Sequence, residues 1–205
     1  MKKSFLLLSI LLIFSSFILF EKDKVITNFK LKNASTNKFV SLSMYRNAKG
    51  FAIIFICNKC PMAKLYSERL NKMNSKYQKL GIPILAINAM DTLAYAEESF
   101  VLMQKKAKKE QLNFPYLQDK SQTIAKLFKA KHTPQAYVIW KNKLGNYTIK
   151  YQGAIDDNAA EPDKTQHHFL TAALDELLAK KVVSQPISAS FGCRIFFRGE
   201  KKYMD

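Results

Sequence analysis

The sequence predicts a three-layer α/β/α sandwich with a mixed central sheet, preceded by an N-terminal hydrophobic segment. Three observations carry this. FAIIFI at residues 51–56 and IPILAIN at residues 82–88 are short, unbroken apolar runs rich in isoleucine, the signature of strands buried on both faces. Between them, apolar residues recur three and four apart, so a helix joins the two strands and they run parallel with a right-handed crossover. After Pro134, QAYVIW and YTIKYQG, joined at Leu144-Gly145-Asn146, read as a closing antiparallel hairpin that supplies edge strands and makes the sheet mixed.

The elements follow in order. Lys2 and Lys3 precede residues 5–20, FLLLSILLIFSSFILF, which carry no charge. This is the pattern of an export signal. As a helix the run spans ~24 Å, short of a ~30 Å hydrocarbon core. No small-x-small cleavage site follows it, and no cysteine lies in it, which excludes a lipoprotein. Residues 1–20 therefore read as a signal peptide or an N-terminal anchor, with membrane anchoring through residues 4–20. Either way the rest of the chain is exported, to the periplasm or to the outer face of the cytoplasmic membrane, where disulfides persist.

Residues 29–32 and 39–42 alternate around an Asn/Ser/Thr turn and predict a hairpin at a sheet edge. Gly50 opens the first buried strand. Met62, Tyr66, Leu70, Met73, Tyr77 and Leu80 then mark one face of a single helix, with Gly81 as its C-cap. After the second buried strand, residues 94–111 predict a charged helix. Residues 114–117 predict a short strand, and Ser121 a cap for a helix over 122–129. Following the hairpin at 135–153, residues 159–164 are polar, contain Pro162 and read as a loop. Phe169, Leu170, Ala173, Leu174, Leu177 and Leu178 mark a last helix. The domain spans residues 25–181, and residues 182–205 form a C-terminal tail without a clear pattern.

The formal charge is +17, from 33 Lys and Arg against 16 Asp and Glu. Such an excess favours acidic partners. The lysines are scattered and no RNA-binding or helix-turn-helix pattern accompanies them, so the surface reads as solvated and no nucleic-acid partner is expected.

The chemistry centres on Cys57 and Cys60. They lie three apart between a buried strand and a helix start, at the carboxyl end of the sheet where sites collect. Unpaired N–H groups and the helix dipole stabilise a thiolate there, and Lys59 adds a positive charge. Three-residue spacing also permits the ~4.4–6.8 Å Cα separation of a disulfide. On this reading Cys57, the outer sulfur, is the better thiolate and the nucleophile, and Cys60 is more buried and resolves the mixed disulfide. Two alternatives stay open at this point. A zinc site needs two further ligands, with Cys193, His132, His167 and His168 the only other candidates. A purely structural disulfide needs no position at a helix start.

Residues 51–88, with Cys57-Asn58-Lys59-Cys60-Pro61 at their centre, resemble the thioredoxin fold, and His132-Thr133-Pro134 stands where that fold has a cis-proline facing the cysteines. CNKCPMAKLYSERL, AINAMD, EESF, NFPYLQD, HTPQAYVI, YQGAIDDN and Phe191-Gly192-Cys193 together resemble the peroxiredoxin-like branch of the redoxin (AhpC/TSA) proteins. The resemblance implies a thioredoxin-like redoxin domain, a cis Thr133–Pro134 bond shaping a substrate groove, and a thiol–disulfide oxidoreductase without a cofactor. Its partner would be a redox protein or a small thiol or disulfide. It also implies a rival, a thiol peroxidase using Cys60. The family's Thr or Ser three before that cysteine is replaced here by Cys57, which favours dithiol exchange. Thioredoxin's Trp before the first cysteine is Ile56 here, and FAIIFI holds no buried acid. A second rival is copper delivery of the Sco type, which spaces its cysteines one residue wider.

His132 is a candidate modulator of Cys57. Asp156, Asp157 and Asn158 read as turn chemistry before cation ligands. Cys193 is a candidate third thiol, to resolve the pair or cross-link chains, and a buried structural thiol is the first expectation.

Overall fold

A computed structural model describes residues 25–200 of the chain. The leader at residues 1–20 and the end of the tail lie outside the described residues. Among the described residues, no helix is long and apolar enough to cross a membrane.

The chain orders itself as β1 (Val25–Ile26), β2 (Lys30–Asn33), β3 (Phe39–Ser41), β4 (Gly50–Phe55), α1 (Pro61–Leu65), α2 (Ser67–Tyr77), β5 (Ile84–Asn88), α3 (Phe100–Lys109), β6 (Tyr116–Gln118), α4 (Thr123–Phe128), β7 (His132–Thr133), β8 (Gln135–Lys141), β9 (Tyr147–Gly153), α5 (Phe169–Leu178) and β10 (Cys193–Arg194). Eight strands form one mixed sheet in the order β1-β9-β8-β4-β5-β6-β2-β3, and β10 pairs with β7 as a separate two-stranded ladder. β4, β5 and β6 are parallel, and β8 runs antiparallel to β4. The two apolar runs are the sheet's centre: every residue of β4 and β5 is buried.

Helices cover both faces. The parallel crossovers put α2 and α3 on one side, where Ser67 Oγ donates to Glu110 just beyond α3 and Tyr77 OH donates to Asp175 of α5. On the other side, α4 lays Phe128 edge-on against Phe55 and Tyr137.

Four local expectations are corrected. The single helix over 62–80 is two helices broken at Tyr66, followed by a 3-10 turn, Gln78–Leu80. No Pro or Gly marks the break; the Tyr66 hydroxyl is drawn to the buried Asp156 carboxylate at 2.7 Å. The turn does end at Gly81, with φ of 86°. The helix expected at 94–111 starts only at Phe100, because Asp91 closes a turn on the N–H groups of Leu93, Ala94 and Tyr95 and Ala96–Glu98 is a separate 3-10 turn. Ser121 does not cap α4: the Asp119 carboxylate reaches further and accepts the N–H groups of Ile124 and Ala125. Finally, the hairpin β8–β9 is not the sheet edge, since β1 pairs with β9. The segment expected as a loop at 159–164 carries one short 3-10 turn, Pro162–Lys164.

Candidate active site

β4 ends at Phe55, and its continuation carries Cys57 to the carboxyl edge of the sheet. Pro61 occupies the first position of α1, where its missing N–H costs nothing, and Cys60 stands at the N-cap. All three cysteines are free thiols. The Cys60 N–H donates to Cys57 Sγ at 3.4 Å. Thr133 closes the site from the opposite side: its Oγ1 is 3.2 Å from Cys57 Sγ, and its carbonyl accepts from the Cys60 thiol at 2.9 Å. The Thr133–Pro134 bond is cis, as the resemblance implies. Thus two segments far apart in sequence meet at two sulfurs.

A third segment arrives that the sequence reading missed. Glu98, 2% exposed, sits beneath the Cys57–Cys60 loop. Its carboxylate accepts the N–H groups of Asn58 at 2.6 Å and Lys59 at 3.0 Å, and the Asn88 amide at 2.9 Å. Asn58 Nδ2 donates to the Glu97 carbonyl, and Tyr116 OH donates to Asn58 Oδ1. Charge-assisted bonds of this kind contribute about 1.5–3 kcal/mol each, enough to fix the loop that carries both sulfurs. FAIIFI was the wrong place to seek a buried acid. The available signal was Glu-Glu directly before an apolar helix start, and only tertiary structure selects Glu98 rather than Glu97.

The electrostatics reverse one expectation. Cys57 and Cys60 are equally buried, at 2% and 3% exposed, so neither is the outer sulfur. The neighbouring Cys57 thiol draws the Cys60 thiol down to about 4 against the opposing effect of burial, with help from the Cys193 thiol and the Ala63 N–H. The Cys60 thiol in turn pushes Cys57 far above the ordinary thiol range, and burial and the Glu98 charge push it further. The two sulfurs of the reduced pair thus shift in opposite directions, Cys60 down and Cys57 up, and ionising Cys60 gives up the proton it donates to the Thr133 carbonyl. The expected Cys57 thiolate relied on a helix dipole; α1 has only 5 residues, and the Glu98 charge acts on Cys57 in the opposite sense.

The other candidate residues are placed as follows. Lys59 is exposed and pairs with Glu97 at 3.3 Å. His132 turns its ring toward Ser190, with Nδ1 3.3 Å from that hydroxyl. Among the described residues, no group of three or more His, Cys, Asp or Glu could hold a metal ion. Asp156 is buried between Tyr66 and Arg69, and Asp157 accepts the N–H groups of Gln166 and His167. Beside Pro134 a groove of about 210 Å³ is lined by Met62, Tyr66, Ile155, Phe169 and Phe191, among others. It suits an apolar side chain beside Pro134.

A family model, "AhpC/TSA family", matches residues 23–151. Among solved structures, the chain is similar to an uncharacterized conserved protein from Geobacillus kaustophilus, with 30% identity, a TM-score of 0.77 and 87% of this chain and 93% of that one covered. It is similar to a hypothetical protein from Sinorhizobium meliloti 1021 at 28% identity, with a TM-score of 0.77 and 87% and 95% covered. A thiol-disulfide oxidoreductase from Bacteroides fragilis shares the fold at 21% identity, with a TM-score of 0.56 and 75% and 99% covered. Among curated proteins, none matches.

Proposed function

The chain belongs to the AhpC/TSA family, and from that premise we propose that it is an exported thiol–disulfide oxidoreductase acting through Cys57 and Cys60. The observation that carries this reading is the contact between two buried thiols and Thr133 across the cis-proline turn. In the reducing direction, the Cys60 thiolate attacks a substrate disulfide and expels one substrate thiolate. Cys57 then attacks the mixed disulfide at Cys60, expels the second thiolate and leaves a Cys57–Cys60 bond. Two electrons pass from the pair to the substrate, and the oxidising direction is the reverse. Thr133 and Pro134 shape the substrate groove, and Glu98 holds the loop in place. The substrate is a redox partner protein or a small thiol or disulfide.

Thiol alkylation with mass spectrometry, before and after mild reductant and across a glutathione redox series, tests this. The expected result is a two-electron Cys57–Cys60 couple. A pair that stays unreactive after reduction under native conditions would reduce it to a staple. Export is supported by Lys2, Lys3 and the uncharged run at 5–20; recovery of the native protein in the cytosolic fraction would refute it.

One observation favours a second reading, a peroxidase. Cys60 carries the lowered thiol and precedes Pro61. A thiolate attacking peroxide becomes a sulfenic acid. Peroxide consumption by the reduced protein, with dimedone labelling of Cys60 in the Cys57→Ser variant, separates the two readings.

A further inference from the structure

Residues 182–200 fold back across the domain. Val183 and Ile195 are buried. The Gln152 N–H donates to the Pro186 carbonyl, and Ser188 packs so closely on Gly153 that a Cβ there would meet Ser188 Oγ at 2.2 Å. Gln122 ties down the far end: its amide donates to the Phe196 carbonyl and its Oε1 accepts from the Arg198 N–H. The register that results places Cys193 opposite Thr133 in the β7–β10 ladder. Gly192 permits the approach, because at φ of 150° a Cβ would come within 2.2 Å of the Thr133 carbonyl oxygen.

This brings a third sulfur to the site. Thr133 contacts both active thiols and also donates its hydroxyl to the Cys193 carbonyl at 3.4 Å. The Thr133 carbonyl oxygen that accepts from the Cys60 thiol is the same oxygen against which Gly192, the residue before Cys193, lies. Cys57, Cys60 and Cys193 thus converge on one residue, Thr133. The strand that carries Cys193 occupies the backbone edge beside Pro134 that an extended substrate would use.

We propose that Cys193 is a third redox thiol, presented by the tail as an internal substrate strand, which moves the disulfide from Cys57–Cys60 to Cys60–Cys193. The inference rests on the dithiol reading above. Cys193, as thiolate, attacks Cys60 Sγ; the Cys60–Cys193 bond forms, the Cys57–Cys60 bond breaks, and the proton lost by Cys193 passes to the departing Cys57 thiolate. No electrons enter or leave, so no further oxidant is needed. The exchange regenerates Cys57 and fastens the tail across the docking edge.

The full-length protein is reduced, treated with oxidised glutathione, quenched in acid, alkylated and mapped for linked peptides. In the wild type both Cys57–Cys60 and Cys60–Cys193 peptides are expected. In Cys57→Ser, Cys60–Cys193 becomes the intrachain bond, formed when Cys193 displaces glutathione from Cys60. In Gly192→Val, which lifts β10 from Thr133, the Cys60–Cys193 peptide falls about tenfold or more while Cys57–Cys60 persists. A wild type that forms Cys57–Cys60 but leaves Cys193 fully alkylatable overturns this inference alone. A chain that forms no Cys57–Cys60 bond overturns the dithiol reading with it.

Discussion

On the proposed reading, the contact between the Cys57 and Cys60 thiols sets which one attacks first. With Cys60 drawn down to about 4 and Cys57 pushed up, the first attack belongs to Cys60. In Cys57→Ser carrying Cys193→Ser as well, where neither thiol is left to release the partner, mixed disulfides therefore accumulate, and in Cys60→Ser none do; a non-reducing gel of both variants reads this directly. Trapping on Cys60→Ser alone would return the nucleophile to Cys57, the order expected from the motif. The pH dependence follows by sign. A lowered thiol stays ionised as pH falls until its own value is reached, so the alkylation rate of Cys60 should be flat from neutrality down to about 4 and fall below it. A rate that falls tenfold per unit from pH 8 downward would mean an ordinary thiol. Only the Cys57 part of this was readable in CNKCP, because the Cys193 thiol that also draws Cys60 down and the Glu98 charge that pushes Cys57 up come from other segments.

At the scale of elements, two buried carboxylates hold the site against the scaffold. Glu98 ties the turn before α3 to the Cys57–Cys60 loop. Glu98→Ala leaves the Asn58 and Lys59 N–H groups without an acceptor, at about 1–3 kcal/mol for each group left unsatisfied. The same change removes a negative charge beside Cys57, so the Cys57 thiol should become more acidic. Urea unfolding with thiolate absorbance checks both effects, and a stable variant with unchanged thiol titration would refute the assignment. Asp156 joins the α1–α2 break to the segment after β9 through Tyr66 and Arg69. Losing one partner of a buried ion pair costs about 3–5 kcal/mol, and Asp156→Ala should lower the urea midpoint accordingly. The legibility of these elements divides on physical grounds. β4, β5 and α5 were visible because their apolar patterns are dictated by burial alone. The break at Tyr66, the late start of α3 and the Asp119 cap were not, since each follows from a side chain reaching a partner outside its own element.

At the scale of the whole molecule, the tail decides how open the site is. The Cys57–Cys60 and Thr133-Pro134 ends of the site could be paired in advance, because each stands beside a strong strand pattern. Residues 182–200 offered no such pattern: β10 has 2 residues, and the tail is held by single contacts that have no period. Yet those contacts place Cys193 and Gly192 against Thr133, directly over two sulfurs that are otherwise buried by β4 and α1. Removing residues 182–205 should therefore have two separable effects. Stability should fall by about 3–6 kcal/mol, an upper estimate for burying Val183 and Ile195 at about 1.5–3 kcal/mol each, and the Gln122 amide loses its Phe196 partner. Independently, alkylation of Cys57 and Cys60 in the folded protein should accelerate, because the β7 edge is uncovered. Reactivity is measured well below the unfolding midpoint, so that global opening does not contribute. If the truncated chain remains folded and its thiols react no faster, the site is closed by the domain itself and the tail is only packing.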